Sequence, residues 1–547
     1  MKIRLVGMVL VLAIVLTSCV PPAMQQKNYS NREQQIMRVN NREEPSSLHP
    51  GKAASPADFW PVDHLMEGLM KRTPDGKLVP GMARDYRMSP DHRTYTFTLK
   101  EGLKWSNGDP ITAGDFEYAW KYALNPATGA QYAYQLYYLQ GGRAYNTTKE
   151  TDPVKKKKLE DKVGVKALDE YTLEVVLETP TAFFLDLCSF FTYYPVNRKV
   201  QEEFRSWDKH SRTYVSNGPF KLVQWNHKQD MVMVKNENYY DKDSVKLKEI
   251  HWYMVGDENT SMQMYRAGQI DLVYPIPNEL IPLMKNKKDP ELHIVPDLSI
   301  YYYDINIRKK PFNNVKIRKA LSMAINRQEL VEDVAQGGQK PAYGIVPPGI
   351  PETEDGKRDF QAFSGSLFQE DVKEAKKLLA EGLKEEKLAK LPTFNLLYNT
   401  STIHKIIAEA IQEMWRKNLG VDCNLQNVEQ QVKMERMRKG EYQLVRDGWL
   451  GDYIDPMTFI ELFTSESTQN FSGWNNEEFD KFTRYAQSSI NQEMRMKAMH
   501  QAEQIIMDHM PILPIYFYTK SYALKSRVGG VFNIVNRYPM MMYAEIQ

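Results

Sequence analysis

The chain has 547 residues, 42% hydrophobic and 26% charged, with a formal net charge of +2. That length carries a prior of three or four domains and a large buried core, and so balanced a charge argues against a nucleic-acid binder and against an acidic scavenger. Tyrosine is frequent, at 32 residues, and its apolar body with one polar handle suits packing and binding clefts alike.

Met1, Lys2 and Arg4 put positive charge ahead of the apolar run LVGMVLVLAIVL, which is too short and too terminal for a spanning helix. The run ends in LTSC, which is similar to a bacterial lipobox. Cys19 is therefore expected to become a lipid-modified mature N-terminus; the alternative is a plain signal peptide with an incidental Cys. Residues 20–34, polar and Pro-containing, read as a flexible tether. No later run is long and apolar enough to span a bilayer. Cys188 and Cys423, in an apolar run and an alternating stretch, read as buried small hydrophobes rather than a pair.

Strand and helix signals then alternate irregularly, as in several mixed α/β domains. TYTFTLK (94–100) places Tyr95, Phe97 and Leu99 on one face of a half-buried strand, and YTLEVVLE (171–178) repeats the pattern. NGD at 107–109 signals a turn. Residues 115–124 read as a helix with Asp115 as N-cap. Residues 313–337 read as one helix from an Asn cap to a Gly stop, and 401–419 as another, from Ser401 or Thr402 to Gly420. A strand follows at VDCNLQNV.

Enzyme signatures are missing: there is no G-x-S-x-G elbow, Walker loop or H-E-x-x-H, and the ten His and three Cys have no metal-site spacing. No metal, cofactor or catalytic residue is expected. Residues 82–120, MARDYRMSPDHRTYTFTLKEGLKWSNGDPITAGDFEYAW, carry a resemblance instead. An Ala, a Tyr-Thr-Phe strand, Trp-x-Asn-Gly and Ala-x-Asp-Phe stand in the order of the bacterial extracellular peptide-binding proteins that feed ABC importers, the peptide/nickel-type solute-binding family. Tyr86 stands where many members have Trp. YVSNGPFKL (214–222), PFNNVKIRKALSMAINRQ (311–328) and MPILPIYFY (510–518) follow in order, and GWLGDYIDP (448–456) is similar to the oligopeptide-binding branch.

The resemblance implies an α/β fold: a two-lobed, periplasmic-binding-protein-like clamshell of class II type with an extra third domain. Lobe I would combine 35–72, 197–298 and 520–547; the extra domain would fill 73–196, and lobe II 299–519. It also implies a site. Asp452 matches the residue that binds a peptide's N-terminus. An ammonium held between lobes needs an anion, because an unpaired buried charge is expensive. The other reading of Asp452 is a turn cap, and Gly448 and Gly451 are expected to let the backbone bend. Asp455, before Pro456, reads as structural. Arg446 and His404 match positions that reach the peptide carboxylate, which needs a cation; His404 would lie in a helix's first turn, where free N–H groups favour an anion. Its other reading is a solvated helix-start residue. Trp449 is pocket wall or core. Tyr518, Tyr132 and, as a weaker match, Tyr302 take aromatic contact positions or simply pack. Gln430 departs from a usual Trp, which makes one pocket wall more polar. Ser299 and Leu450 replace a Cys pair of some relatives.

The function implied is sequence-independent capture of short peptides on the extracytoplasmic face of the cell membrane, by a monomeric, lipid-anchored, non-enzymatic binder that delivers them to ABC permease subunits. The alternatives are another solute on the same scaffold (dipeptide, nickel chelate, glycan) and a lipid-anchored hydrolase or chaperone.

Overall fold

The computed structural model describes residues 35–353 and 356–547. Cys19, the apolar leader and the 20–34 tether lie outside the described residues. Alternation produces strands where expected: Thr94–Leu99 buries Tyr95, Phe97 and Leu99, and Thr172–Val176 pairs antiparallel with it, burying Leu173 and Val175. With Ala83–Met88 and Val165–Ala167 they form a four-stranded sheet, against which helix Ala113–Leu124 packs. The cap of that helix is Thr112, not Asp115. Asp115 is its third residue and accepts from the Thr112 N–H at 2.9 Å. The two side chains form a capping box, each satisfying the other's backbone donor.

Eleven further strands build one sheet. In chain order they are β1 (Ile36–Asn40), β2 (Phe220–Asn226), β3 (Asp230–Lys235), β4 (Glu249–Tyr253), β5 (Leu272–Val273), β6 (Leu292–Ile305), β7 (Lys340–Pro341), β8 (Phe394–Asn399), β9 (Cys423–Val428), β10 (Leu444–Leu450) and β11 (Ile512–Leu524). They lie in the order β9-β8-β10-β6-β11-β5-β1-β4-β3-β2, with β7 attached to β11. At one end β8 runs parallel to β9 and β10; at the other β1 runs parallel to β4 and β5. The long antiparallel pair β6 and β11, of 14 and 13 residues, joins the two parts. Leu292–Pro296 faces Thr519–Ala523, Ile300–Asp304 faces Ile512–Phe517, and the register shifts between Pro296 and Ile300. Beside this irregularity the buried Lys520 donates to Asp297 Oδ1 at 3.0 Å and Val535 O at 2.6 Å.

Helix Thr402–Leu419 follows the sequence reading. Ser401 is its N-cap, Ile407, Ala408, Ile411, Met414 and Trp415 face inward, and Gly420 ends it at φ 66°. The 313–337 stretch does not form one helix. A helix over Val315–Met323, capped by Asn314, stops; a second piece starts at Arg327, capped by Asn326, and winds on to Ala335. Asn326 accepts from the Glu329 N–H at 3.1 Å, a local bond that competes with helix continuation. Arg327 buries its guanidinium against Pro514 O at 2.7 Å and Ser322 O at 3.1 Å, which ties the break to β11. Gln336, at φ 55°, ends the segment ahead of Gly337. Cys188 and Cys423 are buried and free. Among the described residues no helix is long and apolar enough to cross a membrane.

Candidate functional site

Ligands of parallel α/β sheets sit beyond the carboxyl ends of the strands, where the connections leave in different directions. The carboxyl ends of β8, β9 and β10 carry several of the residues singled out from sequence. His404 follows β8, Gln430 follows β9, Arg446 and Trp449 lie in β10, and Asp452 lies just beyond it.

Arg446 stands opposite Tyr303 across the β6–β10 ladder, and Tyr301 stands opposite Gly448. Its guanidinium lies 4.6 Å over the Tyr301 ring, and Nη2 donates to the Tyr518 hydroxyl at 2.8 Å. No carboxylate comes within 4 Å of it among the described residues. His404 sits in the first turn of its helix and is buried, its ring 5.5 Å from that of Tyr301. That burial removes the reading of a solvated helix-start residue. Burial first, then the charges of Arg446 and Lys433, push its pKa down to about 3. Without ligand, His404 therefore favours the neutral imidazole. Among the described residues two buried polar atoms here have no partner, Arg446 Nε and His404 Nδ1, and the Tyr301 and Tyr303 hydroxyls have at most each other and Arg446. Buried polar groups are ordinarily satisfied, so this corner is suited to an anion with several acceptor lone pairs. Lys433, which the sequence reading missed, lies buried behind it and pairs with Asp447 at 2.9 Å. Only its place in a helix of otherwise exposed polar residues sets it apart in sequence.

Asp452 marks the opposite charge. Its N–H donates to Thr458 Oγ1 at 3.1 Å, and its Oδ1 accepts from the Tyr134 hydroxyl at 3.2 Å. No cation faces it among the described residues; burial lifts its pKa to about 6, against the opposing hydrogen bonds of Tyr134 and Gln135. The neighbouring Asp455 differs. Both its oxygens meet the buried Arg495 guanidinium at 2.6 Å, which makes it structural. The bend between them is pinned further by Ile454 N–H on Asp186 Oδ2 at 2.8 Å and by Tyr453 stacked on Phe183 at 4.0 Å. Gly448 and Gly451 do not supply a turn conformation; neither has a positive φ. A Cβ at Gly448 would stand 2.8 Å from Ile300 O, and one at Gly451 would stand 2.7 Å from the Leu298 side chain. They permit close approach of β10 to β6 instead.

Trp449 is half-buried, packs on the main core and points its indole N–H at Thr458 Oγ1, 3.4 Å away. Tyr132 is half-buried between Phe190 and Phe191, its ring 5.7 Å from Tyr134. Burial and the Asp452 charge push its hydroxyl up to about 12, which places it beside that carboxylate. Tyr302 is not brought to Arg446. It lies on the other face of β6, opposite Asp447, 4% exposed and edge-on to Phe463. Gln430 is exposed at the start of its helix. Ser299 and Leu450 are direct cross-strand neighbours, so the Cys pair of some relatives would fall on adjacent strands. Thr458 and Tyr134 were not visible as site residues in the sequence; only the fold brings them to Asp452.

The family model for bacterial extracellular solute-binding proteins, family 5, matches residues 77–471. Oligopeptide-binding protein OppA of Bacillus subtilis is 41% identical over 539 residues, covering 96% of each chain. Dipeptide-binding protein DppE of the same organism is 39% identical, covering 96% of this chain and 95% of the relative. Among solved structures, the unliganded open form of the murein tripeptide-binding protein MppA superposes with a TM-score of 0.81 at 31% identity, covering 94% of this chain and 98% of that one. Haemophilus influenzae OppA in complex with RPPGFSPFR gives 0.71 at 30% identity, covering 94% and 99%. The likeness shows the mixed α/β, multi-domain clamshell of these binding proteins. This chain belongs to family 5 of the bacterial extracellular solute-binding proteins.

Proposed function

We propose that the protein captures short peptides outside the cell membrane, largely irrespective of sequence, and delivers them to an ABC importer. It binds and releases its ligand without transforming it. The observation that carries this reading is a pair of opposite unpaired charges, Asp452 and Arg446, six residues apart on and just past one strand. A peptide's constant features are one ammonium, one carboxylate and its backbone, and these two charges match the termini. The path between them is at most roughly 20 Å, about six residues of extended chain, less what the arginine side chain bridges. Trp449, Tyr132 and Tyr518 line the route; His404 adds a neutral ring at the carboxylate end; Tyr302 supports β6 from behind.

The lobe limits put forward are 35–72, 197–298 and 520–547 for lobe I, 299–519 for lobe II and 73–196 for the extra domain. The register shift of β6 against β11 falls at these limits and supports a hinge there. Ligand that bridges the lobes selects the shut form. Modification at Cys19 would hold the monomer on the outer face of the membrane; Cys19→Ala is then expected in the soluble fraction with binding intact. A dipeptide is the second reading, favoured by the 39% identity to DppE. Native mass spectrometry of the protein purified from its host tests the function. A co-purifying peptide of two to six residues supports it; a bound sugar or metal chelate, with no affinity for such peptides by calorimetry, overturns it.

A further inference from the structure

Tyr134 is a large aromatic whose hydroxyl reaches the unpaired carboxylate. It belongs to a short 3-10 segment, Ala133–Tyr138, far in sequence from Asp452, and its hydroxyl donates to Asp452 Oδ1 at 3.2 Å. Despite that bond the residue is 42% exposed, so part of it stays accessible to a ligand. The ring is not loose. It stacks at 5.7 Å on Tyr132, which Phe190 and Phe191 hold at 5.8 and 5.3 Å. The neighbouring Gln135 is buried, and its backbone carbonyl accepts from the Tyr193 hydroxyl at 2.6 Å, which fixes the segment. A rigid aromatic face next to an anion without a cation is the chemistry that receives an organic ammonium: the carboxylate supplies charge and the ring supplies its negative face.

We infer that Tyr134 is a specificity-determining residue, whose ring covers the α-ammonium of a bound peptide while its hydroxyl orients Asp452. This rests on the peptide-binding reading and adds to it a second group, on a separate segment, that senses the ligand's positive charge. A tyrosine that acted only through its hydroxyl would give equal losses in the Phe and Leu variants; the ring's contribution is the extra loss in Leu.

The test is calorimetry of one apolar tetrapeptide, with a free and with an acetylated N-terminus, on the parent, Tyr134→Phe and Tyr134→Leu. A cation–ring contact of the usual strength predicts that Tyr134→Leu weakens the free-amine peptide about tenfold and the acetylated one less than about twofold. Tyr134→Phe keeps the ring and should lose about threefold, from a less well oriented carboxylate. Phe and Leu variants that retain the parent's preference for the free amine overturn the inference while leaving the peptide reading intact. A parent that binds both peptides equally overturns both. Should Tyr134→Leu fail to fold, Tyr134→Phe with unchanged melting decides the orienting role, and Tyr134→Gln, polar but without a ring, decides the ring's: a loss of free-amine preference beyond that of the Phe variant supports it, and no such loss overturns it.

Discussion

Asp452 and Arg446 both carry a charge that no described residue neutralises, yet the chain holds them differently. Arg446 projects from a strand centre onto the Tyr301 ring, with the Tyr518 hydroxyl fixing one arm. Its charge is permanent, because a guanidinium does not titrate in the accessible range. Asp452 sits past the strand end on a bend pinned by its neighbours, and only neutral donors meet it. Its charge is conditional. The difference teaches that, on the proposed reading, the cationic end is a fixed landmark, whereas the anionic end takes full charge when an ammonium arrives to share it. Asp455, three residues on, has the ion pair that Asp452 lacks among the described residues, and so separates a paired from an unpaired carboxylate within one loop.

The largest expected effect breaks the paired carboxylate. Asp455→Asn leaves Arg495 buried without its anion, and removing one partner of a buried pair costs about 3–5 kcal/mol of stability. Thermal melting should fall sharply. A variant as stable as the parent would mean that the 2.6 Å bidentate contact contributes nothing.

Next in size is Asp452→Asn, which should weaken free-amine peptides by about 2–5 kcal/mol through the stranded ammonium. N-acetylated peptides should bind nearly as before. Stability without ligand should rise at neutral pH, because an unpaired, largely buried carboxylate is removed. Calorimetry and melting on the same samples check both signs, and equal losses for both peptide forms would place the ammonium elsewhere.

Arg446→Met should remove the preference for a free C-terminal carboxylate over an amide, at a cost of about 1.5–3 kcal/mol for the acid. Amidated peptides serve as the reference. If acid and amide lose affinity together, Arg446 supports Tyr301 and Tyr518 rather than the ligand.

The smallest effect, at about tenfold per pH unit, comes from titrating Asp452. Its pKa without ligand is raised to about 6 by burial. Free-amine affinity should be flat above that pH and decline below it, whereas Asp452→Asn should be flat throughout. The stability sign is opposite. The folded pKa lies above the ordinary carboxylate value, so the folded protein takes up a proton that the unfolded chain does not, and this group's penalty is relieved as pH falls from about 6 toward 4. His404, held near 3, stays neutral over that window.

Much of this was legible in the sequence because it depends on local rules. The alternation at 94–99, the capped helix at 402–419 and the ordered motifs of the family needed no partner to be recognised. Where local signals compete, reading failed: Asn326 restarts a helix that periodicity alone would continue, and Asp115 looks like a cap until Thr112 supplies the reciprocal half.

By itself the sequence determined the family and the alternating α/β elements, and through the resemblance it pointed to two charges as candidates for peptide termini. It did so because apolar periodicity, turn residues and spaced motifs are properties of neighbouring residues. The tertiary structure decided which of those charges are free. Asp455 is neutralised by Arg495 from a distant helix and Asp452 by no described residue; burial, with Arg446 nearby, pushes the His404 pKa down; Tyr302 turns away while Tyr134 arrives from the other side of the chain. Burial and pairing are long-range quantities, set by which segments the fold brings together, and no local pattern in the chain encodes them.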